Sequence, residues 1–271
     1  MISAALLRRT LRDYLALWLG AALFVGAFVV LFNFAINAIP RQQSAEWLEL
    51  PIVRRFITAL VGADVLELSR PEGMLSIAFS HPLVWVLLIA FNFTLASGAL
   101  AGEVDRGTMD LLAALPISRA RIYGSISAAL LLMGLPLCWM VWIGARIGVA
   151  LTGAADVRMG ILAIVACNLC AVYVLVCGLS LAIAAYSNRR GMAVAVAFAI
   201  VFYAFVINFL RAMWPALEPL AWTSFLRYYA PLIVIRDGAW PWGDMATLTV
   251  AGAIAWSAGL VVFVRRDFPA R

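Results

Sequence analysis

Long apolar stretches alternate with short polar connections along this chain. Six of the stretches are long enough to cross a hydrocarbon core of about 30 Å, which takes roughly 20 mostly apolar residues in a helix. They cover residues 15–39, 82–100, 122–150, 160–186, 192–213 and 245–264. The pattern therefore predicts an all-α integral membrane protein with six transmembrane helices.

The connections carry patterns of their own. Residues 1–14 place arginines between leucines at helical spacing, which fits either a short helix lying at the membrane interface or the basic flank of the first span. The outer segment 40–81 contains an amphipathic run at residues 51–62, which predicts an interfacial helix, and a second helix start near Pro71. The whole chain, residues 1–271, is predicted to form a single transmembrane domain.

An aromatic cluster marks the connection between the fifth and sixth stretches, residues 214–244. Tryptophan and tyrosine concentrate at membrane interfaces, where their rings lie at the level of the lipid headgroups. The pattern therefore predicts an outer aromatic loop, and contact with a bound ligand is the alternative use of the same rings. The residues concerned are Trp214, Trp222, Tyr228, Tyr229, Trp240 and Trp242.

Charge sets the predicted orientation. Only 13% of the residues are charged, and all 20 basic residues are arginines. With a cytoplasmic N-terminus and six crossings, the cytoplasmic segments hold eleven arginines and five acidic residues, whereas the outer segments hold nine of each. The net charge of +6 then lies on the cytoplasmic side, as the positive-inside rule requires. Both termini are predicted to be cytoplasmic, and the basic charge requires no nucleic-acid partner.

The side chains that most enzymes need are missing or badly placed. A chain without lysine has neither a P-loop nor a Schiff base. The one histidine and the acidic residues at the membrane edges form no catalytic or zinc-binding pattern. Cys138, Cys167, Cys170 and Cys177 lie inside the apolar stretches, and we interpret them as small packing residues, with a metal or redox site as the alternative. The chain is predicted not to be an enzyme and to hold no cofactor of its own.

Polar side chains inside the apolar stretches are candidates for a substrate path, because such groups are costly in a bilayer unless they have a role. The alternative is that the amides of asparagine join neighbouring helices by hydrogen bonds. Arg146, close to the outer end of the third stretch, can extend to the membrane surface. The candidates for the substrate path are Asn33, Asn37, Asn92, Asn168 and Asn208.

The apolar pattern is interrupted most strongly at residues 101–121, between the second and third stretches. Glu103 is predicted to lie at the end of a helix, and residues 105–107 form a charged turn. Thr108 is then placed to cap a new short helix that Pro116 ends, and Ser118 is placed to cap the third span. Its apolar face would lie outside the membrane, where it packs either on the bilayer or in a groove of another protein.

The run GEVDRGTMDLLAALPISR within this segment resembles the signature of ABC-2 type permeases, the membrane subunits of a class of ABC transporters. In that family a Glu, a Gly-Thr pair, an acid, two apolar residues and Pro-x-Ser-Arg follow the second of six spans. Met109-Asp110 departs mildly from the more usual Leu-Glu. The resemblance implies the type V exporter-like fold of this family, with both termini in the cytoplasm.

In the family this segment is the coupling helix, which sits in a cleft of a separate ATP-binding subunit. The resemblance therefore implies two ABC ATPase subunits that bind ATP and magnesium, a second permease subunit that is a second copy or a related chain, and the bilayer of a bacterial inner membrane. The residues that it assigns to coupling are Glu103, Gly107, Thr108, Asp110, Leu111, Leu112, Pro116 and Arg119.

The resulting prediction is a permease subunit that couples ATP hydrolysis in its partner to export of a substrate across the inner membrane. The alternative is a transmission or anchor subunit that passes the motion of the ATPase to an extracytoplasmic partner without moving a solute. The sequence selects no cargo.

Overall fold

The computed structural model describes residues 2–38, 71–109, 116–154 and 157–266. Within these ranges the chain is helical, with no strand. The α-helices are α1 Ala4–Ala38, α2 Pro71–Ser80, α3 Pro82–Ala99, α4 Ala101–Asp105, α5 Arg119–Thr152, α6 Met159–Tyr186, α7 Arg190–Met213, α8 Pro231–Asp237 and α9 Trp242–Arg265. Two 3₁₀-helices, Pro215–Thr223 and Phe225–Tyr228, lie between α7 and α8.

The six predicted spans are confirmed: α1, α2 together with α3, α5, α6, α7 and α9 are long and apolar enough to cross a membrane. The first helix begins at Ala4, so the basic N-terminal segment continues into the span as one helix. The predicted helix at residues 51–62 lies outside the described residues.

Helix α6 is the centre of the bundle and contacts α9, α5, α3 and α7. Its contact with α9 is made by glycines on both helices. A Cβ atom at Gly178 would clash with the carbonyl oxygen of Gly252, and a Cβ at Gly252 would lie 2.9 Å from the Cα of Leu175. In a membrane, small residues let helix backbones approach this closely, so that packing holds the pair together.

Helices α1 and α5 pack through a second small-residue contact. Gly144 and Gly148 are four residues apart on α5 and face α1. A Cβ atom at Gly144 would lie 2.8 Å from the carbonyl oxygen of Gly26, and one at Gly148 would lie 2.7 Å from the Cβ of Asn33. This Gly-x-x-x-Gly spacing allows close packing of two transmembrane helices.

The ends of the spans meet on two faces. The backbone N–H of Ser3 donates to the hydroxyl of Ser125 at 2.8 Å, and that of Arg190 donates to a carboxylate oxygen of Asp105 at 3.4 Å. We call the side that holds these residues the terminal face, because α1 starts there and α9 ends there. The other side, which holds α2, the 3₁₀-helices and α8, is called the opposite face.

On the opposite face one buried carboxylate joins α2 to the start of α6. Glu72 is 3% exposed, and its Oε1 accepts hydrogen bonds from the backbone N of Arg158 at 3.0 Å and from its Nε at 2.8 Å. These bonds compensate the cost of burying the carboxylate. The contact holds the short helix α2 against the bundle.

Candidate functional site

The segment that follows α3 on the terminal face contains the first candidate site. Helix α4 ends at Asp105, and Gly107 has a φ of 70°, which is in the left-handed region that glycine adopts without strain. This turn brings Thr108 back to α4, where its hydroxyl donates to the carbonyl oxygen of Glu103 at 3.2 Å and also to the Glu103 carboxylate. Glu103 lies in the last turn of α4, close to the helix end that the sequence predicted.

Glu103 is the centre of an ionic cluster on this face. Its side chain is 14% exposed, and its Oε1 lies 2.9 Å from Nη2 of Arg106 and 3.9 Å from Nη2 of Arg9. Arg9 in turn lies 3.6 Å from Asp13, one turn further along α1. Through one carboxylate the cluster connects α1, α4 and the turn that leads into the predicted coupling segment.

The N-terminus of α7 meets the same cluster. The hydroxyl of Tyr14 lies so close to Gly98 that a Cβ there would clash with it, and the guanidinium carbon of Arg190 would be 3.8 Å from the same Cβ. The three helices α1, α3 and α7 therefore converge around Gly98. A cavity of about 380 Å³ lies between them, and both Glu103 and Arg106 line it.

Beyond the coupling segment the chain enters α5. The hydroxyl of Ser118 accepts a hydrogen bond from the backbone N of Arg121 at 3.3 Å, which confirms Ser118 as the predicted cap of the third span. Pro116 is exposed just before it. Of the predicted coupling residues, Glu103, Gly107, Thr108, Pro116 and Arg119 are placed on the terminal face, whereas Asp110, Leu111 and Leu112 lie outside the described residues.

Arg119 binds the end of α9. Its Nη1 donates to the carbonyl oxygen of Val264 at 3.3 Å and to that of Arg266. The last carbonyls of a helix have no partners within the helix and carry its negative dipole end, which favours a cation. Arg119, the predicted coupling residue at the start of α5, is thus attached to the last span.

Arg266 makes the corresponding contact with α6, and the sequence did not reveal this role. Its Nη1 donates to the carbonyl oxygens of Ala185 at 2.6 Å and Ser187 at 3.1 Å, and its Nη2 donates to the side chain of Asn188. Arg266 thereby holds the turn between α6 and α7.

The five asparagines proposed for a substrate path do not converge. Asn33 and Asn37 are neighbours on α1, with Nδ2 of Asn37 donating to Oδ1 of Asn33 at 2.8 Å. The same Oδ1 accepts from the hydroxyl of Thr152 at 3.2 Å. Among the described residues no acceptor reaches Nδ2 of Asn33, which is buried. This pair joins α1 to the end of α5 near the opposite face.

Asn92 and Asn168 lie in the bundle interior. Asn92 donates to the sulfur of Cys177 at 2.9 Å and accepts from Ser180 at 2.5 Å, which joins α3 to α6. Asn168 donates to the carbonyl oxygen of Tyr228 at 3.3 Å. Both amides thus act as the interhelical hydrogen-bonding groups that the alternative interpretation predicted.

Asn208 differs from the other asparagines, because it lines a large cavity. This cavity of about 500 Å³ lies between α3, α7 and residues 225–233. Its wall is largely aromatic, and Arg211 and Arg227 line it as well. A volume of this size is in the range of about 300–1,000 Å³ that is usual for small-molecule sites.

The aromatic residues of the loop between α7 and α9 separate into two groups. Trp214, Trp222, Trp240 and Trp242 are exposed. Tyr229 is 7% exposed, and its hydroxyl donates to the carbonyl oxygen of Phe79 at 3.1 Å. Its ring lines the large cavity. The sequence alone did not distinguish this buried tyrosine from the exposed tryptophans.

The four cysteines are free thiols. Cys138 and Cys177 are buried, and Cys167 and Cys170 are half-buried. Within the described ranges, no three His, Cys, Asp or Glu side chains form a group that could hold a metal ion.

Six apolar helices long enough to cross a membrane define a multi-pass membrane protein. Residues 7–268 match the family model described as ABC-2 family transporter protein, and the chain belongs to this family. The match covers the candidate coupling region, the cavity and all six spans. The comparisons with curated proteins and with solved structures found no match.

Proposed function

We propose that the chain is the permease subunit of an ABC exporter and that residues 101–121 couple it to a separate ATPase. Membership of the ABC-2 family supports the permease role. The observation that supports this position for coupling is the Glu103 cluster, because it joins α1, α4 and the start of the segment directly. Displacement of the segment would therefore displace α1, and through Arg119 also α9.

In this proposal two ABC ATPase subunits bind ATP and magnesium, and the chain itself binds neither. It pairs with a second permease subunit, either another copy or a related chain. The terminal face is cytoplasmic, both termini are cytoplasmic, and the membrane is the bacterial inner membrane. The surplus of arginine on that face supports this orientation.

The large cavity favours export over force transmission. A subunit that only passed motion to an extracytoplasmic partner would need packed helices but no ligand-sized space beside them. The cavity of about 500 Å³ instead adjoins α3 and α7. At their other ends, Gly98 of α3 and Arg190 of α7 line the smaller cavity together with Glu103. ATP-driven movement of these ends would alter the cavity.

The test is purification of the native complex in mild detergent, followed by mass spectrometry and an ATP-hydrolysis assay. We expect a stoichiometric soluble subunit with a P-loop and ATP hydrolysis that co-purifies with the chain. The double variant Leu111→Asp/Leu112→Asp should release that subunit, because two charges replace the apolar face of the coupling helix. Ile2→Asp is the matched control, since Ile2 is 54% exposed on the same face and precedes α1.

Retention of the ATPase at full activity in the double variant would contradict the proposed coupling segment. Purification of the chain without any P-loop subunit would contradict the permease role altogether.

A further inference from the structure

The large cavity has one continuous aromatic wall on α7. Phe198, Phe202, Phe205 and Phe209 recur at helical spacing and all line it. Phe198 and Phe202 are stacked with ring centroids 6.1 Å apart, and Phe205 and Phe209 are stacked at 6.3 Å. From the first to the last of these residues the helix rises about 16 Å. The wall therefore offers a long apolar strip rather than a single hydrophobic contact.

The facing wall is held in place by its own contacts. Trp85 on α3 meets the ring of Tyr229 edge to face, with centroids 5.3 Å apart. The Tyr229 hydroxyl is occupied by its bond to Phe79, which fixes the ring orientation. The two rings therefore present apolar surface to the cavity. Because their orientation is fixed, neither ring has to rotate to open the cavity.

One end of the cavity is cationic. Arg211 is the last residue of the fifth span, and Arg227 follows from the second 3₁₀-helix. They are the two charged residues that line the cavity within the described chain. Asn208 lies beside them, with its Oδ1 accepting from Nε of Arg211 at 3.1 Å.

The counter-charge of the two arginines lies outside the cavity. Glu218 is 3.6 Å from Arg211 and 3.8 Å from Arg227, and its side chain is 53% exposed. Charge-assisted hydrogen bonds are shorter, at about 2.7–2.9 Å. Asp244 is the second carboxylate whose charge interacts with that of Arg227. Neither Glu218 nor Asp244 lines the cavity, where the two guanidinium groups present N–H donors to an anion. A guanidinium group binds a carboxylate or a phosphate through two parallel bonds.

We propose that this cavity binds a compact amphiphilic anion, with an apolar chain or ring body along the phenylalanine strip and a carboxylate or phosphate head at Arg211 and Arg227. The inference rests on the proposed export function and names the class of substrate. The position of the arginines at the end of the span matches the orientation of an amphiphile in a bilayer, head at the surface and body in the hydrocarbon. A cavity of about 500 Å³ has space for one chain or a small ring system.

The test measures binding to the complex as purified, reconstituted without nucleotide in nanodiscs of phosphatidylcholine. The probe is a dansylated undecanoic acid, and the competitors are dodecyl phosphate and dodecanol. We expect saturable binding that dodecyl phosphate displaces and dodecanol does not. Competition by both to the same degree would overturn the anion site.

Variants locate the site. Arg227→Gln should weaken binding of the probe at least tenfold, which corresponds to about 1.4 kcal/mol, because it removes a hydrogen bond between two charged groups. Its side chain is 42% exposed, so folding does not depend on it. Arg211→Gln should have the same effect. Phe202→Ala should also weaken binding of the probe, because it removes apolar contact with the body of the probe. Arg236→Gln, an exposed arginine of the opposite face paired with Asp237, is the control that should bind as the native complex does.

Unchanged affinity in both arginine variants would overturn the proposal, as would recovery of a tightly bound bilayer phospholipid whose removal is needed before the probe binds. The same sample is tested for a stoichiometric ATPase subunit. Absence of that subunit contradicts the permease role, whereas failure of the probe to bind contradicts only the substrate class.

Discussion

The guanidinium group of Arg119 donates a hydrogen bond to the backbone carbonyl oxygen of Arg266. The side chain of Arg266 in turn donates to the carbonyl oxygen of Ala185, in the last turn of α6, and to that of Ser187. Two arginines thus connect the start of α5, the end of α9 and the end of α6 in series. Each carbonyl group belongs to a helix end that has no partner for it within its own helix.

Loss of the Arg266 side chain should destabilise the bundle. We expect Arg266→Gln to lower the free energy of unfolding by about 1–3 kcal/mol, the usual range for hydrogen bonds to a charged group. Arg265→Gln is the control, because it removes the same charge from the neighbouring residue, whose side chain is exposed. Thermal melting of the purified protein measures the difference. Equal melting temperatures for both variants would show that the carbonyl contacts contribute nothing.

Contact between α6 and α9 should tolerate no side chain at Gly178. A Cβ atom there would clash with the carbonyl oxygen of Gly252, a backbone atom that moves only with its helix. We expect Gly178→Ala to cost about 1–3 kcal/mol through overpacking. Gly160→Ala, on the same helix with no atom within 4 Å of its added Cβ, should be neutral or slightly stabilising. Melting in detergent compares the pair, and a stable Gly178→Ala variant would refute the close approach of the two helices.

Two ion pairs of the opposite face should differ in their effect on stability. Glu72 is buried and accepts two hydrogen bonds from Arg158, one of them from the backbone. Asp237 pairs with its neighbour Arg236 in solvent. We expect Glu72→Ala to lower stability by about 1–3 kcal/mol, because it leaves an N–H without its acceptor. Asp237→Ala should leave the melting temperature unchanged, and an equal loss in both variants would contradict the role of burial.

The six spans could be predicted from the sequence because the signal is local: about 20 apolar residues in a row have few alternatives. The cap at Ser118 was predictable for the same reason, since a cap and its acceptor site lie within one helical turn. The contacts of Arg266 were not, because its acceptors lie about 80 positions earlier in the chain. Tyr229 has the same pattern around it as the exposed tryptophans, and only its distant partner Phe79 distinguishes it.

The asparagines also show that a local sequence pattern does not reveal the distant partners of a residue. Each is an amide within an apolar stretch, so the sequence offered the same two interpretations for all of them. The structure separates Asn92, whose partners are Cys177 and Ser180, from Asn208, which faces a cavity beside Arg211. Only the packing of α7 against α3 creates that cavity, and packing partners are not encoded in any local pattern.

The final prediction concerns the contacts through which nucleotide binding in the ATPase subunit moves the spans. Glu103 holds Arg9 of α1 and Arg106 and Thr108 of the following turn through one carboxylate. We expect Glu103→Gln to keep the ATPase subunit bound, since the coupling segment itself is unchanged, but to weaken the attachment of α1 to it. Hydrogen–deuterium exchange of α1, measured in the complex with and without a non-hydrolysable ATP analogue, should show a nucleotide-dependent change in the native protein that is reduced in the variant.

Asp13→Asn provides the control for this measurement, because Asp13 is the other carboxylate beside Arg9 and its side chain is 54% exposed. It removes the same charge from the same arginine without touching the turn at Gly107. If both variants lose the nucleotide response equally, the charge around Arg9 matters rather than the connection through Glu103. If neither loses it, motion reaches α1 by another route, of which the Arg119 contact with α9 is the first to test.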